Sequence, residues 1–157
     1  MPRNPFYHRG PIRDPDFFYD RQREIQQIAD LLRVSQSVSI VGPRRIGKTS
    51  LLYHLCAQEL RAAHALLPPQ HVFAFINTEG MEQAPAAEVY SLLLDALRAA
   101  LKESSLELPA HTTASVADYR LLDSTLRSLS QRGTTVAFLI DEFELMALNP
   151  NLDPSFF

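Results

Sequence analysis

The sequence predicts an α/β fold: a parallel sheet with helices on both faces, three layers arranged α-β-α. Two runs of apolar residues, His71–Ile76 and Val136–Ile140, are too short for helices and suit strands buried on both sides. Segments with apolar residues at helical spacing lie around them. A glycine-bearing turn, 42–49, joins the β-branched run Ser37–Val41 to another apolar-periodic segment. Strands that alternate with helices pair in parallel, because each helix carries the chain back across the sheet.

Residues 1–19 are predicted to be an extended arm, since Pro2, Pro5, Pro11 and Pro15 exclude regular helix. The remainder, 20–157, reads as one domain. A first helix is expected from Asp20 to Val34, with Ile25, Ile28, Ala29, Leu31 and Leu32 as its apolar stripe and Asp20 as N-cap. Ser37–Val41 is the expected strand before the glycine turn. The helix after the turn is expected to reach Leu66, ahead of Pro68-Pro69. After the strand His71–Ile76, Asn77–Gly80 reads as a turn. Ala84–Lys102 is a helix, with Val89, Leu92, Leu93, Ala96, Leu97, Ala100 and Leu101 on one stripe. Glu103–Thr113 is a loop. Ser115-x-x-Asp118 resembles a capping box for a helix to Gln131, with Gly133 as its stop. The run Val136–Ile140 ends in Asp141-Glu142.

The tail Asn149–Phe157 reads as the start of a further helix, with Asp153 as N-cap and Pro154 at its first position. Phe156 and Phe157 would be its first apolar residues, so the fold reads as truncated after the strand 136–140. The alternative is a frayed apolar tail docked back on the sheet.

Composition narrows the function classes. The 157 residues are 46% hydrophobic and 21% charged, with net charge −3, as expected of one soluble globular domain. The slight acidity gives no support to a broad nucleic-acid surface. No apolar run approaches membrane-spanning length, and the first residues lack the apolar core of a signal peptide. Cys56 is the single cysteine, which excludes an intrachain disulfide and fits a reducing, cytoplasmic location. The histidines lack metal-ligand spacing, and no nucleophile elbow is present.

The chemistry concentrates in two motifs. Gly42-Pro-Arg-Arg-Ile-Gly-Lys-Thr49 reads G-x-x-x-x-G-K-T between an expected strand and helix, the context of a phosphate-binding P-loop. Gly42 and Gly47 let backbone N–H groups turn inward toward phosphate oxygens. The helix start aims its positive dipole end at the same place. Lys48 reaches the β- and γ-phosphates, and the Thr49 hydroxyl is a hard oxygen donor for Mg²⁺. The expected nucleotide contacts are Gly42, Pro43, Arg44, Arg45, Ile46, Gly47, Lys48, Thr49 and Ser50. Arg44 and Arg45 either lean toward phosphate or a neighbouring subunit, or stand as solvated tips. Asp141 and Glu142 emerge at the C-terminal edge of the sheet, where α/β folds bind ligands. Asp141 is the expected Mg²⁺ ligand, and Glu142 the acceptor of a proton from attacking water. Thr78 and Glu79 are expected at the same edge, as helpers for water or metal. Glu144 is either a supporting acid or a surface one.

Together, Asn4–Ile12, Phe17–Ile25, Gly42–Leu52 and Leu139–Glu144 resemble the corresponding blocks of STAND-type NTPases, signalling ATPases related to the AAA+ group. The resemblance implies an ATP and Mg²⁺ site and a nucleotide-controlled switch, with ATP hydrolysis in the complete protein. Ile12, Phe18 and Tyr19 would line the adenine pocket, braced by Arg21 and Glu24. Asp20 stands where that family usually has glycine. The family's next strand would lie between the P-loop strand and the strand 136–140, and it would follow residue 157. Self-association through the NTPase domain and effector or sensor partners in further domains are also implied. The alternatives are a non-catalytic nucleotide-binding or interaction fragment and a DNA-acting AAA+ module. No arginine finger is nominated; Arg120, Arg127 and Arg132 read as solvated helix residues.

Overall fold

The structure is a computed structural model and describes residues 10–14, 17–109, 117–153 and 156. The chain divides into two compact units, 1–67 and 68–157.

In the N-terminal unit, helix α1 (Gln22–Arg33) buries Ile25, Ile28 and Ala29. Its N-cap is Arg21, with no side-chain cap bond, rather than Asp20. Asp20 takes a left-handed φ of 61°, which removes it from the extended conformation an N-cap uses. Ser37–Val41 forms no strand, and Val41 is 88% exposed. A strand exists only through backbone bonds to a neighbour, and among the described residues the sheet holds just the two strands of the other unit. The helix expected to run unbroken to Leu66 is two, α2 (Lys48–Cys56) and α3 (Gln58–Ala63). They part at Ala57, whose ψ of 133° is extended. Alanine favours helix, so propensity does not make this break. One continuous helix would set Leu55 and Leu60 roughly 140° apart around its axis. The break lets both be buried, as they are.

In the C-terminal unit, β1 (His71–Asn77) and β2 (Thr135–Asp141) pair in parallel, in a register that sets Asn77 beside Asp141. Between them in sequence run α4 (Ala86–Glu103) and α5 (Tyr119–Gln131), the crossover that parallel pairing needs. A short α6 (Phe143–Ala147) follows β2. Val72 and Ala74 of β1 pack with Leu97, Ala100 and Leu101 of α4 and Leu129 of α5, and Val136 and Phe138 of β2 lie against the same cluster. These strand residues alternate, so one face of the pair is covered by both helices. The arrangement within this unit is α/β with a small parallel sheet. β2 is less buried than its apolar run predicts: Leu139 is buried, while its neighbours are half-buried. Its second edge has no partner strand among the described residues.

The α5 helix starts at an N-cap that the capping-box pattern misassigns. Asp118 is itself the cap, extended at φ −142°, and its carboxylate accepts from Leu121 N at 2.8 Å. Ser115 lies outside the described residues. Gly133 takes the expected left-handed φ of 78° after the helix. In the tail, Leu152 is buried, and the Phe156 ring meets Tyr90 at 4.9 Å between centroids. Both join the cluster of Ile76, Val89, Leu93 and Met146, so the described part of the tail docks back onto its unit. Pro154 and Phe157 lie outside the described residues. Among the described residues no helix is long and apolar enough to cross a membrane.

Candidate functional site

The candidate residues fall in both units, and each group is built within its own unit. In the N-terminal unit the glycine loop turns through two left-handed residues, Arg45 at φ 66° and Gly47 at φ 92°. Gly47 is the N-cap of α2, a step that costs a residue with a Cβ about 1–2 kcal/mol. Gly42 is needed for a different reason: a Cβ there would stand 3.2 Å from Ile46 Cγ2, tighter than ordinary packing. Ile46 N donates to Pro43 O at 3.3 Å and closes the loop. The Lys48 ammonium folds back over it, donating to Gly42 O at 3.1 Å and Pro43 O at 3.4 Å. Thr49 is half-buried, Ser50 is buried, and Arg44 and Arg45 are exposed. The N–H groups of the first turn of α2 have no partners within the helix and carry its positive dipole end. Beside a lysine, that arrangement suits an anion.

The residues ahead of the loop meet α2 on one side. Ile12 N donates to Ser50 Oγ at 2.9 Å. The Arg13 guanidinium donates to Tyr53 Oη at 3.1 Å and lies 4.6 Å over its ring. Phe18 stacks on His54, 4.2 Å between centroids and 18° from parallel. Burial pushes the His54 pKa below its usual value. Arg21 donates to Ile46 O, tying the start of α1 to the glycine loop. Of the residues expected at the adenine side, Ile12 and Phe18 therefore sit against α2, whereas Tyr19 is 70% exposed and Glu24 is exposed. Tyr53 and His54 escaped the sequence reading. Their spacing of three and four residues from Ser50 places all three on one helix face, and that was the available signal.

In the C-terminal unit, Asp141 ends β2, and Glu142 turns left-handed at φ 55° to cap α6. Asp141 is half-buried and Glu142 exposed. Thr78, just past β1, is fully buried. Its hydroxyl reaches Asp141 O at 3.0 Å and Glu142 O at 2.7 Å, and its N–H donates to Asp141 O at 3.3 Å. The Thr78 side chain is thus engaged with backbone at the end of the neighbouring strand. Glu79 is exposed on a turn in which its N–H donates to Asn77 Oδ1 at 3.0 Å, and Glu144 is a surface acid. Asn149, which the sequence reading passed over, is buried. Its amide donates to Met81 O at 2.7 Å and Ala84 O at 2.8 Å. Asn151 reaches Gln83 O at 2.7 Å. The loops after β1 and after α6 are therefore stitched together. The Asn-Pro-Asn turn was the sequence signal, since asparagines there bond to backbone.

A glycine loop capping a helix, with a lysine laid across it, and an acidic pair ending a parallel strand are consistent with an α/β P-loop protein. A family model described as AAA ATPase domain matches residues 18–154. The chain belongs to that family, whose members are nucleotide-binding ATPase modules. Comparison with curated proteins gives no match, and comparison with solved structures gives none.

Proposed function

We propose that this chain is part of a STAND-type ATPase that binds Mg·ATP at residues 42–50 and uses the nucleotide as a switch. The observation that carries the reading is the geometry of the loop. Gly47 turns left-handed to start α2, and Lys48 rests on the carbonyl of Gly42. Those carbonyls are weak competitors for an ammonium that a triphosphate would attract more strongly. Gly42, Pro43, Arg44, Arg45, Ile46, Gly47, Thr49 and Ser50 supply backbone and side-chain contacts. Phe18, Tyr19 and Arg21 form the nucleoside side, supported by the Phe18–His54 stack and by the bond from Arg21 to Ile46.

Thr49 and Asp141 are the residues proposed to hold magnesium, since each offers the hard oxygen that this ion prefers. Mg²⁺ is commonly held by one or two protein oxygens together with substrate phosphates, whose charge it neutralises when bound. Glu142 orients the attacking water and accepts its proton, Lys48 stabilises charge on the transferring phosphoryl group, and the loop amides do the same. Residues 1–19 serve the nucleotide site, and 20–157 form the ATPase domain. The protein acts in the cytoplasm, associates with itself through this domain and passes the nucleotide state to effector or sensor partners.

Calorimetric titration with Mg·ATP tests the loop. Lys48→Ala should lower affinity by about 10- to 150-fold, the equivalent of about 1.5–3 kcal/mol for a charged hydrogen bond. Glu142→Gln should bind as the parent does and not turn over. Equal ATP affinity in Lys48→Ala would sink the assignment.

A further inference from the structure

The geometry points to Thr78 as a positioning residue: its buried hydroxyl holds the Asp141–Glu142 corner in the turned conformation from which Glu142 acts. The inference rests on the catalytic role proposed for Glu142, and it adds a residue that touches neither nucleotide nor water.

The case begins with the backbone. Glu142 is a residue with a Cβ held at φ 55°, ψ 39°, in the left-handed region. Such a residue stays there only where its surroundings over-determine it. Glu142 O accepts from Leu145 N at 2.9 Å, which would suit any helix start and does not select left-handedness. Thr78 does more. In an extended chain, successive carbonyls point to opposite sides. Here the carbonyls of Asp141 and Glu142 both lie within reach of one hydroxyl, at 3.0 and 2.7 Å. An extended Glu142 could not bring them there. The hydroxyl carries one proton, shared between or exchanged by the two oxygens.

The anchor is itself fixed. Thr78 is fully buried, directly follows β1, and donates its own N–H to Asp141 O at 3.3 Å. That bond continues the register in which Asn77 faces Asp141. A threonine at this position therefore joins the end of one strand to the acidic end of its neighbour through both its N–H and its hydroxyl. The Glu142 side chain leaves the backbone at the residue that these bonds turn.

The test separates positioning from simple structural support. Thr78→Val keeps the shape and removes the hydroxyl, whereas Thr78→Ser keeps the hydroxyl. The Glu142 backbone is read by NMR, through its N–H to Hα coupling and carbon shifts, in the full chain without nucleotide. Turnover and ATP affinity are measured beside it. Thr78→Val should lose the left-handed signature at Glu142 and lower kcat by about tenfold to a hundredfold, with ATP affinity within about twofold of the parent. Thr78→Ser should restore both. A left-handed signature retained in Thr78→Val overturns the inference, as does a lost signature with unchanged turnover. If Thr78→Val does not fold, the Thr78 hydroxyl proton of the parent decides: slow exchange supports the clamp, and exchange at the solvent rate overturns it. Failure of the parent to bind Mg·ATP would overturn the reading of the glycine loop instead, and failure of the parent to turn over would overturn the role given to Glu142. The Glu142 signature needs no nucleotide and still rules on the clamp.

Discussion

Residues 42–49 take their shape from near neighbours. Ile46 N bonds to Pro43 O, Lys48 reaches back to Gly42 O, and Gly47 supplies a left-handed step at the start of α2. The Asp141–Glu142 corner takes its shape from Thr78, 64 residues earlier than Glu142, through a hydroxyl that exists there only because β1 and β2 pair. Both places use a left-handed residue just before a helix. In the first it is glycine, where the conformation carries little strain, and in the second it is glutamate, which needs outside support. A site built by local spacing can be recognised from a motif, whereas one built by strand register needs the fold to be known.

The surroundings differ in the same sense. The C-terminal unit packs an apolar cluster between two helices and one face of a strand pair. In the N-terminal unit Ile12 and Phe18 meet α2 through a hydrogen bond and a ring stack, and Arg21 bonds to Ile46 O of the glycine loop. The largest expected effect therefore lies in the C-terminal unit. Leu97→Ala removes a fully buried side chain from among Val72, Leu101 and Leu129 and should cost about 2–5 kcal/mol. Amide exchange along α4 and β1 measures it.

Gly47→Ala should cost less, about 1–2 kcal/mol, because its penalty is backbone strain at φ 92°. The nearest atom to an added Cβ, Arg21 Nη2 at 3.9 Å, leaves room for it. Amide exchange in α2 reads this change, with weakened Mg·ATP affinity beside it. A greater loss from Gly47→Ala than from Leu97→Ala would break the contrast between a locally shaped loop and a packed core.

The smallest effect is a pH dependence. Burial lowers the His54 pKa, so the folded state binds a proton less readily than the unfolded chain, whose histidine titrates near about 6.5. The stability linked to this group is fully present above that value and is lost as pH falls below it, through the lower folded pKa. Thermal unfolding should move to lower temperature on acidification from about pH 7 to about pH 5. His71, lowered for the same reason, adds to the loss. His54→Phe keeps a ring to stack on Phe18 and should remove the acid-side loss of amide protection in α2, leaving the share owed to His71. An unchanged pH profile at α2 would show that His54 is not the group responsible.

Several elements were legible at once. The apolar runs at 71–76 and 136–140 are strands, and Val89, Leu93, Leu97, Ala100 and Leu101 of the expected stripe are buried on α4, joined by Leu94, while Leu92 and Ala96 are half-buried. Gly133 stops α5 as expected. Ser37–Val41 has the composition of a strand and forms none here, because β-propensity records fitness for a pleated surface and cannot supply a neighbour. Asp20 has the chemistry of an N-cap without its dihedrals, and Asp118 serves as the cap itself rather than as the third residue of a capping box.

The sequence by itself determined the α/β class, the motif at 42–49 and the membership that follows from matching the AAA ATPase domain over 18–154. These rest on periodicity and on spacing within a few residues, which a linear string records directly. Tertiary structure alone decided that Phe18 stacks on His54, that Asn149 ties two loops together, and that Thr78 spends its hydroxyl on the carbonyls of Asp141 and Glu142. Those contacts depend on which distant segments meet and in what register. A buried polar group must find its partner wherever packing has placed one.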